Sequence, residues 1–536
     1  MPARSPIALK LLPSMTDFAF LLPVLMLFGR MEGAKTLLGD ADTGWHIRTG
    51  EWILSHHQVP SHDFFSFSKP GEPWYAWEWL SDVLFAWLNS RGGLAAVVLA
   101  SVVLLAATFL LLFRMARRKA NPVIALLVAA IAAIISSVHW LARPHLFTLV
   151  FLTLFYGALE RAREQRCLSP RALVILPAAM ILWTNLHGGF FVGIVLIAAY
   201  GMGELIQIIV APDAVKVEGL RCAKSYFLAA GACLAASLIN PYSYHLHQHL
   251  LAYLGDSYAA EHIEEFFSLS FHHPVAIFFE FLLAAGAAAA FRSVTRGNWT
   301  HAVLLALFAH AALLASRNLP LYGIMATPIV AQAMDGWLRR VPQLALADWL
   351  RNLAARVLAV IDEMAETDAV SRWHLLSALG MLAVAALLYA PAPPRPFRAE
   401  YDAAAYPAAA VTRLRGSSAA RIFTNDEWGD YLIYRLYPQT RVFVDGRSDF
   451  YGSDFEQKYT DVMNVQYGWE ETLRRFGVDT VLLPPNAALT GALKESSRWK
   501  VVYDDGVALV FRYRRSEGED PVSTALAGGD RGKGST

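Results

Sequence analysis

The sequence is short of several things that would each have pointed to a class of function. It holds only three cysteines in 536 residues. Cys167, Cys222 and Cys233 have no metal-ligand spacing, and the topology implied by the loop charges puts none of them in an outer loop. Neither a disulfide scaffold nor a zinc-thiolate centre is expected. Charge is sparse and balanced, at 17% of residues with a formal net charge of +1. No basic face or stripe is available for a nucleic acid, which is excluded as a partner. No internal repeat of fixed period is present, so a solenoid is set aside. No small-residue cleavage site follows the first apolar run near Gly29 to Lys35. Arg4 and Lys10 therefore introduce an uncleaved first anchor rather than a signal peptide.

What the chain does have is apolar sequence: 55% hydrophobic residues and a mean hydropathy of +0.36, above the usual share for a soluble domain. We read an α-helical polytopic membrane protein. Spans need roughly 20 apolar residues, and on that measure about eleven candidates stand at 14–34, 92–114, 121–141, 145–161, 170–184, 189–211, 224–240, 274–292, 300–316, 319–336 and 373–391. Basic residues cluster in alternate loops, at Arg114–Lys119, Arg161–Arg171, Lys216–Lys224, Arg292–Arg296 and Arg339–Arg356. These loops are cytoplasmic if the N-terminus is inside. The other face then carries a long first loop, 37–91, a second at 241–273, and everything after the membrane domain of 1–391. From 392 to 515 the pattern changes to short apolar runs (RIFTN, YLIY, RVFVD, DTVLL, KVVYD, VALVF) between Gly, Pro and Asp turns, as expected of a small extracytoplasmic α/β domain. Residues 516–536 lack apolar periodicity and read as a disordered tail.

The first outer loop organises the rest. Its stretch 39–88 is too polar for hydrocarbon and holds Asp40, Asp42, His46, Arg48, Glu51, Asp63, Glu78 and Asp82 beside seven Trp and Tyr residues. Such rings favour a membrane–water boundary, which suits a loop facing a lipid-borne substrate. Asp42 and His46 are four residues apart, so a helix gathers an acid and an imidazole on one face, with Arg48 close by. Asp42 could equally be a helix cap. Asp40 and Asp42 could also offer oxygens to a divalent cation, Mg or Mn, with ligand phosphates completing the shell. Further along, His139, Arg143 and His145 surround Pro144 at the exit of the third span. Arg143 suits a phosphate as well as it suits simple snorkelling to the interface. Asn185 and His187, with Glu78, are polar groups in or beside apolar hairpins and should line a cavity. In the 241–273 loop the spacing of His245, His247 and His249 matches no zinc pattern. Glu261, Glu264 and Glu265 are the better candidates, and we take Glu264 into the catalytic set. Arg317 follows at the next outer turn. In the last domain, Trp428, Asp430 and Tyr431, with Asp445 and Arg447, could read a peptide or sugar, or could be a packed turn.

With these residues in hand, the plan resembles the C-type superfamily of integral-membrane glycosyltransferases, which use polyprenyl-phosphate-linked donors. Oligosaccharyltransferase catalytic subunits look closest, and protein mannosyltransferases are similar in span number. Asp42-Thr43-Gly44-Trp45-His46-Ile47-Arg48 is similar to the family's first-loop motif of acid, aromatic, small spacer and arginine. Glu427-Trp428-Gly429-Asp430-Tyr431 looks like the motif that reads the acceptor. Where oligosaccharyltransferases carry a second acidic motif after the third span, this chain has His139, Arg143 and His145.

The resemblance implies transfer of a sugar or glycan from a polyprenyl-phosphate-linked donor to a protein, glycan or lipid acceptor on the outer face of a bacterial inner membrane. In that reading Asp42, Asp40, His46 and Glu264 are catalytic. Arg48, Arg143, His145 and Arg317 hold the donor phosphate, and Trp428, Asp430, Tyr431, Asp445 and Arg447 hold the acceptor. Membrane lipids are the remaining partner. A flippase of lipid-linked precursors, or a non-catalytic receptor or assembly subunit, are the alternatives. The former leaves the outer domain unexplained and finds no paired, Gly/Pro-broken halves; the latter gains if Asp42 and Arg143 variants behave as wild type while Trp428 variants fail.

Overall fold

The computed structural model describes residues 11–210, 213–370, 373–415 and 421–514. The tail expected at 516–536, and Arg4 and Lys10, lie outside the described residues. The chain forms two compact units, one of Met1–Asp63 with Glu72–Asp402, the other of Phe64–Gly71 with Ala403–Thr536. The boundary at Asp402 thus falls 11 residues past the expected one at 391, and residues 64–71 of the long polar loop belong with the C-terminal unit.

The first unit is helical. Its main helices are α1 (Met15–Gly29), α2 (Asp42–His56), α3 (Trp79–Ala116), α4 (Pro122–Ser136), α5 (His145–Glu164), α6 (Ala172–Leu186), α7 (Phe191–Val210), α8 (Asp213–Ala236), α9 (Tyr244–Leu254), α10 (Ala276–Thr295), α11 (Trp299–Leu314), α12 (Leu319–Leu338), α13 (Asp348–Asp368) and α14 (Leu375–Leu388). Each of the eleven expected spans overlaps one of these. By length and composition, four segments among the described residues can cross a membrane: Trp79–Ala116, Pro122–His139, Gly188–Val210 and Ala276–Thr295. The apolar helices α1, α6, α11 and α14 are shorter, at 14 to 16 residues. At 1.5 Å per residue they reach about 21–24 Å, less than the roughly 30 Å of a hydrocarbon core.

Local sequence explains the boundaries. Ser14 and Asp17 form a capping box that starts α1. Asn121 caps α4, whose first residue is Pro122. Helix α3 is broken at Gly92–Gly93, where Gly93 has φ +63°, a conformation that suits only glycine without strain. Before the break α3 is polar enough to carry Glu78 at its cap and Asp82; after it the helix is apolar. Helix α12 is buried on all sides from Leu319 to Ala331, as expected of a central helix. Helix α2 crosses α3 so closely that a Cβ at Gly50 would overlap the Asp82 carbonyl oxygen.

The helix ends opposite α2 are tied by a second polar cluster that the sequence did not reveal. Buried Glu160 of α5 accepts from Tyr200 (2.7 Å) and pairs with Lys119 (2.7 Å), His301 (3.1 Å) and Arg163 (3.7 Å). At the same end Cys167 and Cys222, expected to stay unbridged, form a disulfide with their Cα atoms 4.9 Å apart. Cys167, in the loop after α5, and Cys222, on α8, are neighbours in space although 55 residues separate them. Cys233 is free and buried.

The C-terminal unit is built on a mixed sheet of β1 (Ile422–Phe423), β2 (Thr480–Leu483), β3 (Trp499–Asp504) and β4 (Leu509–Tyr513), in the order β1-β2-β4-β3, with β1 parallel to β2 and the other pairs antiparallel. Four of the six expected runs lie in these strands. YLIY is instead helical, within α15 (Asp426–Leu436): the Asn425 side chain caps the Trp428 N–H, and Trp428, Tyr431, Leu432 and Leu436 bury one helical face. Val442 of RVFVD makes only isolated bridges, one of them to Ser66. Through it the excursion at 64–71 joins the sheet edge, with the Phe67 N–H donating to Val442 and the Val442 N–H donating to Phe65. The Lys69 ammonium closes the arrangement on the Phe450 and Tyr451 carbonyls, 3.1 Å each.

The α2–α3 crossing is testable. A Gly50→Val chain should lose about 1–3 kcal/mol of stability through overpacking, read as a lower Tm in detergent; an unchanged Tm would contradict so close a crossing.

Candidate functional site

Arg143 lies in the turn between α4 and α5. One guanidinium nitrogen is 2.7 Å from Asp42 Oδ2 and the other is 2.8 Å from Asp40 Oδ2. The two acids come together because the Asp42 N–H donates to Asp40 Oδ1 (2.8 Å) at the start of α2. The next residue, Thr43, donates its hydroxyl to the Ala142 carbonyl (2.9 Å) and docks that start against the arginine turn. A third carboxylate, Glu265, approaches Arg143 at 3.7 Å and bridges to Arg317 at 3.3 Å. Arg317 lies 3.7 Å over the Phe266 ring, which fixes the plane of its guanidinium.

From this centre a line of imidazoles and acids continues. His139 lies 4.0 Å from Glu265, and its ring is 4.4 Å from that of His145. His145 Nε2 bonds the His139 carbonyl, while its Nδ1 has no partner. The His145 ring is 6.5 Å from that of His187, whose Nε2 is 3.3 Å from Glu78. Glu78 is 3.5 Å from His46 Nε2, and His46 Nδ1 is 2.6 Å from Asp82. The Gly50 crossing places His46 beside Asp82, and the Trp45 ring lies 3.6 Å from the His46 ring, tilted by 31°.

Charge and burial set the proton states. Burial, followed by the positive charge of Arg143, holds His46 well below the ordinary imidazole value of 6.5. Burial alone would raise the Glu265 carboxyl, but Arg143 and Arg317 together pull it below the usual range. Burial would likewise favour loss of the Arg143 proton, and Asp42, Asp40 and Glu265 reverse that, so the guanidinium stays charged.

Of the residues singled out in the sequence, Asp40, Asp42, His46, Glu78, Arg143, His145, His187 and Arg317 meet here. Glu264 does not. It is exposed, and the neighbouring Glu265 is the acid turned toward the arginines, because the short 3-10 turn at Glu264–Phe266 points the two side chains apart. Arg48 pairs with Glu51 at 2.6 Å. Asn185 accepts from the Trp79 indole (2.7 Å) and donates to the Ile239 carbonyl (2.9 Å), so it ties helices together.

The residues expected to hold an acceptor are all inside the C-terminal unit. Trp428, Asp430, Tyr431, Asp445 and Arg447 are each at most 3% exposed. The Trp428 indole donates to the Ala405 carbonyl, Asp430 accepts the Gly446 N–H, and Arg447 makes a bidentate pair with Asp445 at 2.7 Å. They are core rather than contact surface, since their polar atoms are turned inward to one another.

The carboxylates offered to a divalent cation do not fit one. Asp42 and Asp40 both turn an oxygen onto a guanidinium, and a hard cation needs a shell of several converging oxygens. Among the described residues no group of three or more His, Cys, Asp or Glu is arranged to hold a metal. Asp82 as partner of His46 was missed in the sequence; its only local signal was its place one turn after Glu78.

No family model and no curated protein matches the sequence. Solved structures do match. The apo crystal structure of the oligosaccharyltransferase of Archaeoglobus fulgidus aligns with a TM-score of 0.52 at 10% identity, over 87% of this chain and 69% of that one. The same enzyme, tethered by a disulfide bond to an acceptor peptide containing the NVT sequon, aligns with a TM-score of 0.54 at 12% identity, over 87% and 68%. At such identity the likeness is one of fold alone.

The neutral His46 carries a pH signature. Below 6.5 the unfolded chain takes up a proton that the folded site resists, so the stability His46 contributes is full above that value and is lost as pH falls. The Tm gap between the wild type and His46→Gln should be widest near pH 8 and narrow toward about pH 5; a gap constant with pH would contradict a buried neutral imidazole.

Proposed function

We propose that the chain is a membrane glycosyltransferase that moves a sugar or glycan from a polyprenyl-phosphate-linked donor to an acceptor on the extracytoplasmic face, with the N-terminus in the cytoplasm of a bacterial cell. The observation that carries this reading is Arg143, held by Asp42 and Asp40 on one side and linked through Glu265 to Arg317 on the other, in a chain with an oligosaccharyltransferase fold.

Two guanidiniums sharing one carboxylate make a place that suits a phosphate, because planar nitrogen forks match its oxygens. The phosphate would take over the role Glu265 plays between them. Transfer breaks the bond between the anomeric carbon and the phosphate oxygen. The electron pair departs on that oxygen, where Arg143 and Arg317 neutralise the charge as it develops. Asp42, at the edge of the same site, orients the acceptor nucleophile or takes its proton as the new bond to the anomeric carbon forms. His145, whose buried Nδ1 has no hydrogen-bond partner, and His187 stand beside this pair of arginines. His46, Glu78 and Asp82 hold α2 and α3 in register behind Asp42, and act through position rather than contact.

Asp42→Asn keeps the shape and removes the charge. It should lower transfer of a lipid-linked sugar at least about 100-fold while the purified chain keeps its Tm within a few degrees. Full activity in that variant would remove Asp42 from the mechanism.

A further inference from the structure

The basic stretch Arg339–Arg356 runs into helix α13 (Asp348–Asp368). It is an amphipathic helix with two apolar flanks and one polar one. Ala354 and Ile361 are buried against the bundle. Beside them, over about 80° of the circumference at 100° per residue, runs a second stripe: Trp349 (65% exposed), Leu353 (52%), Val357 (40%), Val360 (55%) and Met364 (47%). Seven charged residues in 21 rule it out as a span.

The fold says where the stripe lies. The Asn121 amide at the start of α4 donates to the Ile361 carbonyl (3.1 Å) and to Asp362 (2.9 Å). The Met15 N–H at the start of α1 donates to Asp368 (2.6 Å), and Arg117 at the end of α3 lies 3.6 Å from the same acid. Arg339 at the end of α12 pairs with Asp362 at 2.8 Å. Helix α13 is thus pinned across the ends of four helices, on the rim opposite the Arg143 site. Exposed apolar side chains also stand on α14, at Leu375, Leu379 and Leu382, and on α1, at Phe18 and Leu25. Asp17 of α1 joins these two helices by accepting from Ser377 at 2.6 Å.

We propose that α13 is an interfacial helix: it lies along the headgroup boundary of the bilayer that the bundle crosses, with the Trp349–Met364 stripe in contact with lipid. The occupant is lipid because α1, whose first residue is bonded to Asp368, and α14 expose apolar flanks of their own, because an indole sits at the first turn of the stripe, and because its depth is that of the helix ends where hydrocarbon gives way to headgroups. Two arginines against five acids in the helix leave it net acidic, so apolar burial and not attraction to anionic headgroups supplies the contact. The helix anchors the rim opposite the site and limits tilt of α12, which leads from Arg317 toward it.

The test uses nitroxide labels on the full chain in lipid nanodiscs, in a Cys233→Ala background, at L353C and V360C on the stripe and at A355C and E366C on the polar flank. Molecular oxygen partitions into hydrocarbon and a charged nickel chelate does not. The oxygen-to-nickel accessibility ratio should therefore be at least about threefold higher at 353 and 360 than at 355 and 366. Equal ratios at all four positions would mean a helix bathed in water. Exclusion of both reagents at 353 and 360 would mean cover by protein, a second copy or another subunit. Either result overturns the proposal, and neither bears on whether the Arg143 site transfers sugar.

Discussion

The guanidinium of Arg143 is the charge on which the first unit is arranged. Three carboxylates from separate parts of the chain, Asp40 and Asp42 at the start of α2 and Glu265 in the loop after α9, converge on it. Half-buried charges of one sign cannot be gathered without a counter-charge, since the desolvation of each would go uncompensated. Removing the arginine would leave three acids facing one another, whereas removing one acid leaves the arginine two partners. The turn at Ala142–Pro144, the docking of Thr43 and the bridge to Arg317 all follow from bringing those acids to that one place.

Around this centre the helices do two jobs. The α2–α3 crossing at Gly50 sets Asp42 against Arg143 and keeps His46 between Asp82 and Glu78, so the site rests on packed helices and not on the loop alone. At the other end of the bundle the Glu160 cluster and the pins on α13 hold helix termini together. The polar groups of this unit are thus concentrated at two levels, with apolar helix between them, as a bilayer requires.

Much of this was legible in the sequence, and the physical reason differs from case to case. The apolar helices and the polar first loop are written as composition over long stretches, although only four of the helical segments among the described residues reach the length and apolarity of a span. Asp42 and His46 share a face because four residues make a helical turn, and Arg143 stood out as a cation beside a proline at a span end. What failed was selection among neighbours and pairing at a distance. Glu264 and Glu265 are indistinguishable until a 3-10 turn points one outward. Asp82 finds His46 across 36 residues, and residues 64–71 find Val442 across some 375. YLIY is apolar enough for a strand, but Asn425 ahead of it starts a helix. Trp428 and Asp430 looked like a contact surface because exposure cannot be read from residue type, and an aromatic next to a carboxylate packs a core as readily as it binds a ligand. The Cys167–Cys222 bridge depends on the loop after α5 meeting α8, which spacing does not reveal.

The central claim is that Arg143 and Arg317 together receive a lipid-linked phosphate. It is tested most directly by mass spectrometry of the lipids that copurify with the chain in mild detergent, compared for wild type, Arg143→Ala and Arg317→Ala, each checked for its fold. A polyprenyl phosphate or phosphosugar bound to the wild type and lost from both variants is the predicted result. Bulk phospholipid alone in all three preparations, or a polyprenyl species that stays bound without either arginine, would contradict it.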